Sequence, residues 1–256
     1  SAEAGHVRVY EYSNGSWSQL GSDIDGEAAG DYFGWAVSLD SDGDRVAIGS
    51  QYNDGNGTEA GHVRVYQYSS GSWSQLGGDI DGEAAGDMSA RSVSLDSDGD
   101  RVAIGAVNND GTASDAGHVR VYEYSSGSWS QLGSDIDGES GDDRSGYAVS
   151  LDSDGDRVAI GAYGNDGTAN NAGHVRVMAA TTTWWVDSKN GDDNNDGIFE
   201  SSAFKTVQKA IESNSNLTNG DTIKVKPSLA SDGTLSYYDF GNDDVSTTKT
   251  FVLIST

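Results

Sequence analysis

The chain has 256 residues, no cysteine, and 41 acidic against 15 basic residues for a formal charge of −26. This excludes disulfides, thiolate metal sites and cysteine nucleophiles, and the acidic field repels nucleic acid and anionic membranes. Thirty-five glycines against one proline, without collagen periodicity, imply many tight turns between short strands.

No run approaches the ~18 apolar residues of a membrane span, so no membrane insertion is expected. The composition suits a bacterial exported protein, secreted or at the cell surface, with cations such as calcium as partners. The chain opens inside a repeat, at Ser1-Ala2-Glu3-Ala4-Gly5-His6, and reads as a piece of a longer protein. Ala-Gly-His-Val-Arg-Val begins at Ala4, Ala60, Ala116 and Ala172, a period of 56 residues. Ala60–Asp115 and Ala116–Asn171 share 43 of 56 residues, which implies recent duplication. Recurrence alone therefore marks no residue as functional.

Each unit holds four strand-like runs, a to d, at Trp35–Leu39, Arg45–Gly49, His62–Tyr68 and Ser72–Leu76 in the first complete unit. Strand c alternates, with Val63 and Val65 on one face and His62, Arg64 and Tyr66 on the other. Strand b places Val46 and Ile48 together, and these four apolar residues are the expected inter-sheet core. The turns Asp40-Ser41-Asp42-Gly43-Asp44 and Ser69-Ser70-Gly71 suit positive φ, and the first reads as a type I′ hairpin. Four antiparallel strands per repeat of this length make a propeller blade.

The order Phe33-Gly34, Val37-Ser38-Leu39, Val46-Ala47-Ile48-Gly49-Ser50 resembles the FG-GAP repeat of integrin-α-like β-propellers in its bacterial variant. The later units depart from it, with Ser89-Ala90 and Ser145-Gly146 in place of Phe-Gly. The chain runs c-d, a-b-c-d, a-b-c-d, a-b-c, short of the roughly four blades that close a propeller. The expected fold is all-β: propeller-type blades over residues 1–180, incomplete as a ring. An open stack leaves strand edges through which copies can self-associate.

In a meandering blade the a–b and c–d turns share one end, and the d–a and b–c loops the other. Here the turns barely change between units, while the loops vary and hold aromatic and arginine residues. This loop face, with Tyr32, Phe33, Trp35, Tyr52, Met88, Arg91, Asn108, Arg144, Tyr147 and Tyr163, is the candidate ligand-binding surface. The competing reading is neutral drift in loops. His6, His62, His118 and His174 occupy one repeat position, cannot form a single cluster, and read as structural. Trp17, Trp73 and Trp129 read as blade-packing residues.

The repeat pattern stops near Thr181. Trp184-Trp185-Val186-Asp187 precedes a polar loop, and Phe204, Val207, Ala210 and Ile211 share a helical face. Gly220-Asp221-Thr222-Ile223-Lys224-Val225 follows as a turn and strand. This order resembles the opening of pectate-lyase-like right-handed parallel β-helices, where a short helix caps the first coil. The resemblance implies that residues 181–256 form such a cap and first coil, with Phe251–Ile254 in the next rung. The family's catalytic residues lie on later rungs, so none is assigned here.

Asp192-Asp193-Asn194-Asn195-Asp196-Gly197-Ile198-Phe199-Glu200 fits a shortened calcium loop. Asp192, Asn194, Asp196 and Glu200 would donate side chains and Ile198 its carbonyl; the alternative is an Asx-rich turn. The a–b turns, with Asp40, Asp42, Asp44, Asp96, Asp98, Asp100, Asp152, Asp154 and Asp156, are poorer calcium candidates. The leading functional expectation is a non-catalytic extracellular binding or structural module of a larger surface or adhesion protein, recognising protein or polysaccharide. The rival is the N-terminal part of a β-helix polysaccharide lyase or hydrolase. Against it, the paired carboxylates lie only in Gly-rich turns, and no isolated, apolar-flanked Asp or Glu suggests a raised pKa. A designed or selected repeat fragment is a third class.

Overall fold

The computed structural model describes residues 3–179, 183–187, 222–226, 228–229, 235–236 and 252–255. Every described element is a β-strand, and the chain divides into two compact units, Ser1–Met178 and Ala179–Thr256.

The first unit begins with β1 (His6–Val7), β2 (Tyr10–Ser13), β3 (Ser16–Gln19) and β4 (Ile24–Asp25), which pair as β1–β4 and β2–β3. Two complete sheets follow. The first comprises β5 (Ala36–Leu39), β6 (Arg45–Ser50), β7 (His62–Ser69), β8 (Ser72–Gln75) and β9 (Ile80–Asp81). The second comprises β10 (Ser89–Leu95), β11 (Arg101–Ala106), β12 (His118–Ser125), β13 (Ser128–Gln131) and β14 (Ile136–Asp137). A third sheet holds β15 (Ser145–Leu151), β16 (Arg157–Ala162) and β17 (His174–Ala179). All are antiparallel meanders and open, as the repeat order predicts.

The outer strand differs from expectation. It is split: β8 pairs with one half of β7 and β9 with the other, His62 facing Asp81 and Val63 facing Ile80. The interruption falls at a left-handed glycine, Gly77 with φ +75°, and recurs in the next sheet at Gly133, also +75°. The c–d turn has Ser70 and Gly71 at φ 52° and 88°, a type I′ pair. The a–b turn is not type I′: among its residues only Gly43 has positive φ, 71°, and Asp40 N–H closes a longer loop onto the Arg45 carbonyl at 3.1 Å.

Strand b is apolar on both faces because each complete sheet is covered on both sides. Val46 and Ile48 pack with Phe33 of their own repeat and with Val9 and Ile24 of the preceding one. Ala47, Val63 and Val65 pack with Val93, Leu95 and Ile104 of the next. All four apolar residues expected between sheets are buried, each contributing about 1.5–3 kcal/mol.

A tryptophan clasps each of the first two junctions between sheets. Trp73 Nε1 donates to the Leu20 carbonyl and Trp129 Nε1 to the Leu76 carbonyl, both at 2.8 Å. Each ring lies where a Cβ on Gly21 or Gly77 would sit, so those glycines make room for it. Trp17, at the start of the array, is 69% exposed.

In the second unit, β18 (Thr183–Asp187), β19 (Thr222–Lys226) and β22 (Val252–Ser255) form a parallel sheet in the order β18–β19–β22. Trp184 aligns with Ile223, and Ile223 with Leu253. Between the last two strands, β20 (Ser228–Leu229) pairs antiparallel with β21 (Leu235–Ser236). The expected helix at 204–211 lies outside the described residues.

Candidate functional site

The loop face is built on a buried polar tie. Asn53 Nδ2 donates to Asp31 Oδ2 at 3.0 Å, and Asn53 Oδ1 accepts from Gly55 N–H at 2.8 Å. The same tie recurs as Asn109–Asp87 and Asn165–Asp143. All six residues are buried, so each b–c loop is locked to the d–a loop of the repeat by bonds shielded from water. Sequence reasoning missed these residues. Their signal was invariance inside otherwise variable loops.

Beside each aspartate the backbone takes a left-handed turn at a non-glycine residue, with φ 54° at Tyr32, 52° at Met88 and 57° at Arg144. Such a conformation costs on the order of 1 kcal/mol and persists where its surroundings impose it. Here the tie next to it does so. Tyr32 is exposed, while Met88 and Arg144 are half-buried.

The exposed rings meet across repeats. Tyr32, Trp35 and Tyr52 pack edge to face, with centroids 5.4–6.4 Å apart. Arg91 lies 5.4 Å from the Trp35 centroid and 4.1 Å from that of Tyr147, and Tyr147 lies 4.7 Å from Tyr163. The result is one run, Tyr52–Tyr32–Trp35–Arg91–Tyr147–Tyr163, joined by ring–ring and cation–π contacts. At one end a depression of about 500 Å³ is lined by Tyr32, Trp35, Tyr52, Asp54 and Glu59 among others. Tyr32 donates its hydroxyl to Glu3 at 3.3 Å, and that carboxylate keeps the phenol protonated beyond the usual range.

Other members of the predicted face stand elsewhere. Phe33 is no surface residue: it is 4% exposed, with its ring edge-on to Tyr66, 6.4 Å between centroids. The left-handed Gly34 that follows turns the chain so that Tyr32 and Trp35 emerge and Phe33 enters the core. Asn108 accepts from Arg144, which also pairs with Asp115 at 2.8 Å. Those two polar residues are therefore engaged with each other.

At the opposite end, the a–b turns bond to one another. Ser41 N–H donates to the Ser97 carbonyl and Ser97 N–H to that of Ser153, both at 3.1 Å. Arg45 and Arg101 reach the Asp98 and Asp154 carbonyls at 3.0 and 3.1 Å. Burial, followed by the neighbouring Asp100, pushes the Asp96 carboxyl up to about 6, although the Arg101 N–H opposes this. Asp40, Asp96 and Asp152 spend an oxygen on the N–H five residues later. The loop candidates Asp192, Asn194, Asp196, Ile198 and Glu200 lie outside the described residues.

The histidines do not meet one another, as expected, but two meet carboxylates. Glu27, His62 and Asp79 form one group and Glu83, His118 and Asp135 another, their ligand atoms within 4.8 Å of each other. Burial, then the adjacent Arg64 and Arg120, push both imidazoles below the usual histidine range. The glutamate comes from the preceding repeat, 35 residues away, which hid the grouping from a linear reading.

The model of the FG-GAP repeat matches residues 24–66, which span β4 through most of β7. No curated protein matches the sequence. Among solved structures, a protein described as a 6-phosphogluconolactonase from Bacteroides uniformis aligns at TM-score 0.43 and 11% identity, over 68% of this chain and 44% of its own. U3-55K aligns at 0.40 and 17%, over 70% and 50%, and the tricorn protease at 0.36 and 11%, over 62% and 15%. The chain thus spans half or less of each of these proteins.

Proposed function

We propose that this chain is a non-catalytic extracellular recognition module whose loop face binds an extended polysaccharide. The observation that carries this reading is the aromatic–arginine run across three successive repeats. Exposed apolar rings that cluster on a tied loop scaffold mark a binding surface rather than drift, because drift does not align ring with ring. Ring faces suit the C–H faces of pyranose sugars, while Asp54 and Glu59 offer acceptors to hydroxyl groups beside them. The linear layout over several repeats favours a polymer over a small molecule. The acidic charge and the FG-GAP similarity support an extracellular setting. The parallel register of the second unit supports its reading as the first coils of a β-helix.

The test is a glycan array followed by titration of the best binder. Trp35→Ala and Tyr147→Ala should each weaken binding at least tenfold, whereas Ser70→Ala and Asp98→Ala, at the turn end, should not. Loss of binding confined to the turn-end variants would reject the loop face. Binding of proteins but no glycan would reject the ligand class.

A further inference from the structure

We propose that Glu83, His118 and Asp135 bind one divalent transition-metal ion of the zinc type, which staples the sheet of β10–β14 to the loop leaving the sheet before it. Glu83 follows β9, His118 opens β12, and Asp135 precedes β14, so an ion held by all three joins two repeats. The proposal is independent of the loop-face reading.

His118 is the decisive residue. Its side chain is 1% exposed, and Nδ1 has no hydrogen-bond partner. That nitrogen points between two carboxylate oxygens, 3.8 Å from Glu83 Oε2 and 4.0 Å from Asp135 Oδ2. These separations are too long for hydrogen bonds. With the third edge below 4.8 Å, a point equidistant from the three atoms lies about 2.1–2.5 Å from each, close to the roughly 2.0–2.2 Å of zinc–nitrogen and zinc–oxygen bonds. An imidazole with two carboxylates is a donor set that suits zinc and its neighbours in the first transition row.

The other oxygens are held from outside. Arg120 Nη1 lies 3.3 Å from Glu83 Oε1, and Gln131 Nε2 donates to Asp135 Oδ1 at 2.7 Å. Each carboxylate thus spends one oxygen on an orienting neighbour and turns the other towards His118, as metal-ligating carboxylates do when an outer hydrogen-bond partner fixes them. The two carboxylates outnumber the single guanidinium that faces them, so a net negative charge remains for a cation.

The equivalent positions one repeat earlier supply a control within the same molecule. There Arg64 bonds both oxygens of Asp79, at 2.8 and 2.7 Å, and also pairs with Glu27. The guanidinium occupies the role open to an ion in the next repeat. One repeat later, Glu139 lies 3.7 Å from His174, but the position 56 residues after Asp135 is Gly191. Among the described residues, a single site follows.

The experiment is calorimetric titration of the full chain with zinc, in excess calcium to occupy the acidic surface. One zinc ion should bind per chain. Glu83→Gln and Asp135→Asn, at half-exposed carboxylates that need not disturb folding, should each weaken it at least tenfold. Glu27→Gln and Asp79→Asn should leave it unchanged. Cobalt should give visible absorption bands in the wild type that vanish in Asp135→Asn. No stoichiometric zinc in the wild type, or zinc retained in both Glu83→Gln and Asp135→Asn, would overturn the proposal.

Discussion

The two ends of each blade have the same backbone and opposite histories. At the turn end, Ser41, Ser97, Arg45 and Arg101 bond directly to the next repeat, and the residues there are nearly identical from unit to unit. At the loop end, positions 35, 91 and 147 carry Trp, Arg and Tyr. Yet the loop end is not free throughout: the Asn–Asp tie beneath the rings is invariant. At the loop end, sequence is held where the Asn–Asp tie is buried and released at the exposed rings above it.

The strongest way to break this comparison is to substitute neighbours on opposite sides of that line. Asn109→Ala should cost about 2–4 kcal/mol in denaturant unfolding, because it leaves the buried Asp87 carboxylate only the long bond from the Ala84 N–H and strips the Gly111 N–H of its acceptor. Asn108→Ala, one residue away and half-buried, should stay within about 0.5 kcal/mol. Equal costs would show that burial does not separate the two classes.

At the turn end the titration of Asp96 sharpens the contrast. Its folded pKa, about 6, lies above the ordinary 3.8, so the folded state takes up a proton first and gains stability as pH falls from about 6 to 4. Above 6 the buried charge is a penalty that Asp96→Asn removes. The variant should be more stable by about 1–2 kcal/mol at pH 8, and the difference should vanish near pH 4. Melts across this range that run parallel would refute it.

The smallest effect belongs to the clasps. Trp129→Phe keeps most of the ring but loses the bond to Leu76, and should cost about 1 kcal/mol. Trp17→Phe, at an exposed ring, should cost nothing measurable. If both cost the same, the indole N–H contributes nothing to the junction.

Much of this was legible in the sequence. The period, the four main strands, the positive-φ turn at Ser70-Gly71 and the buried Val46, Ile48, Val63 and Val65 all follow from alternation and turn chemistry; the type I′ reading of the a–b turn does not survive. The rest depends on contacts between repeats. Ile80–Asp81 is too short to announce itself as a strand and pairs only because β7 extends beyond β8. Phe33 looked like a loop aromatic, since nothing local shows that the preceding repeat offers a pocket for it. The Asn–Asp tie and the His118 group join residues 22 and 35 positions apart. Periodicity analysis compares equivalent positions and is blind to pairs of non-equivalent ones.

The indole clasp has a kinetic side. Trp73 and Trp129 dock 53 residues upstream, on Leu20 and Leu76, within nearly the same local sequence. Each clasp therefore fits any junction in the array as well as its own. A refolding chain meets several isoenergetic partners, and so does a pair of chains at high concentration. Out-of-order docking traps such a chain without any loss of contact energy, so correct assembly rests on chain proximity, with adjacent repeats folding before distant ones collide.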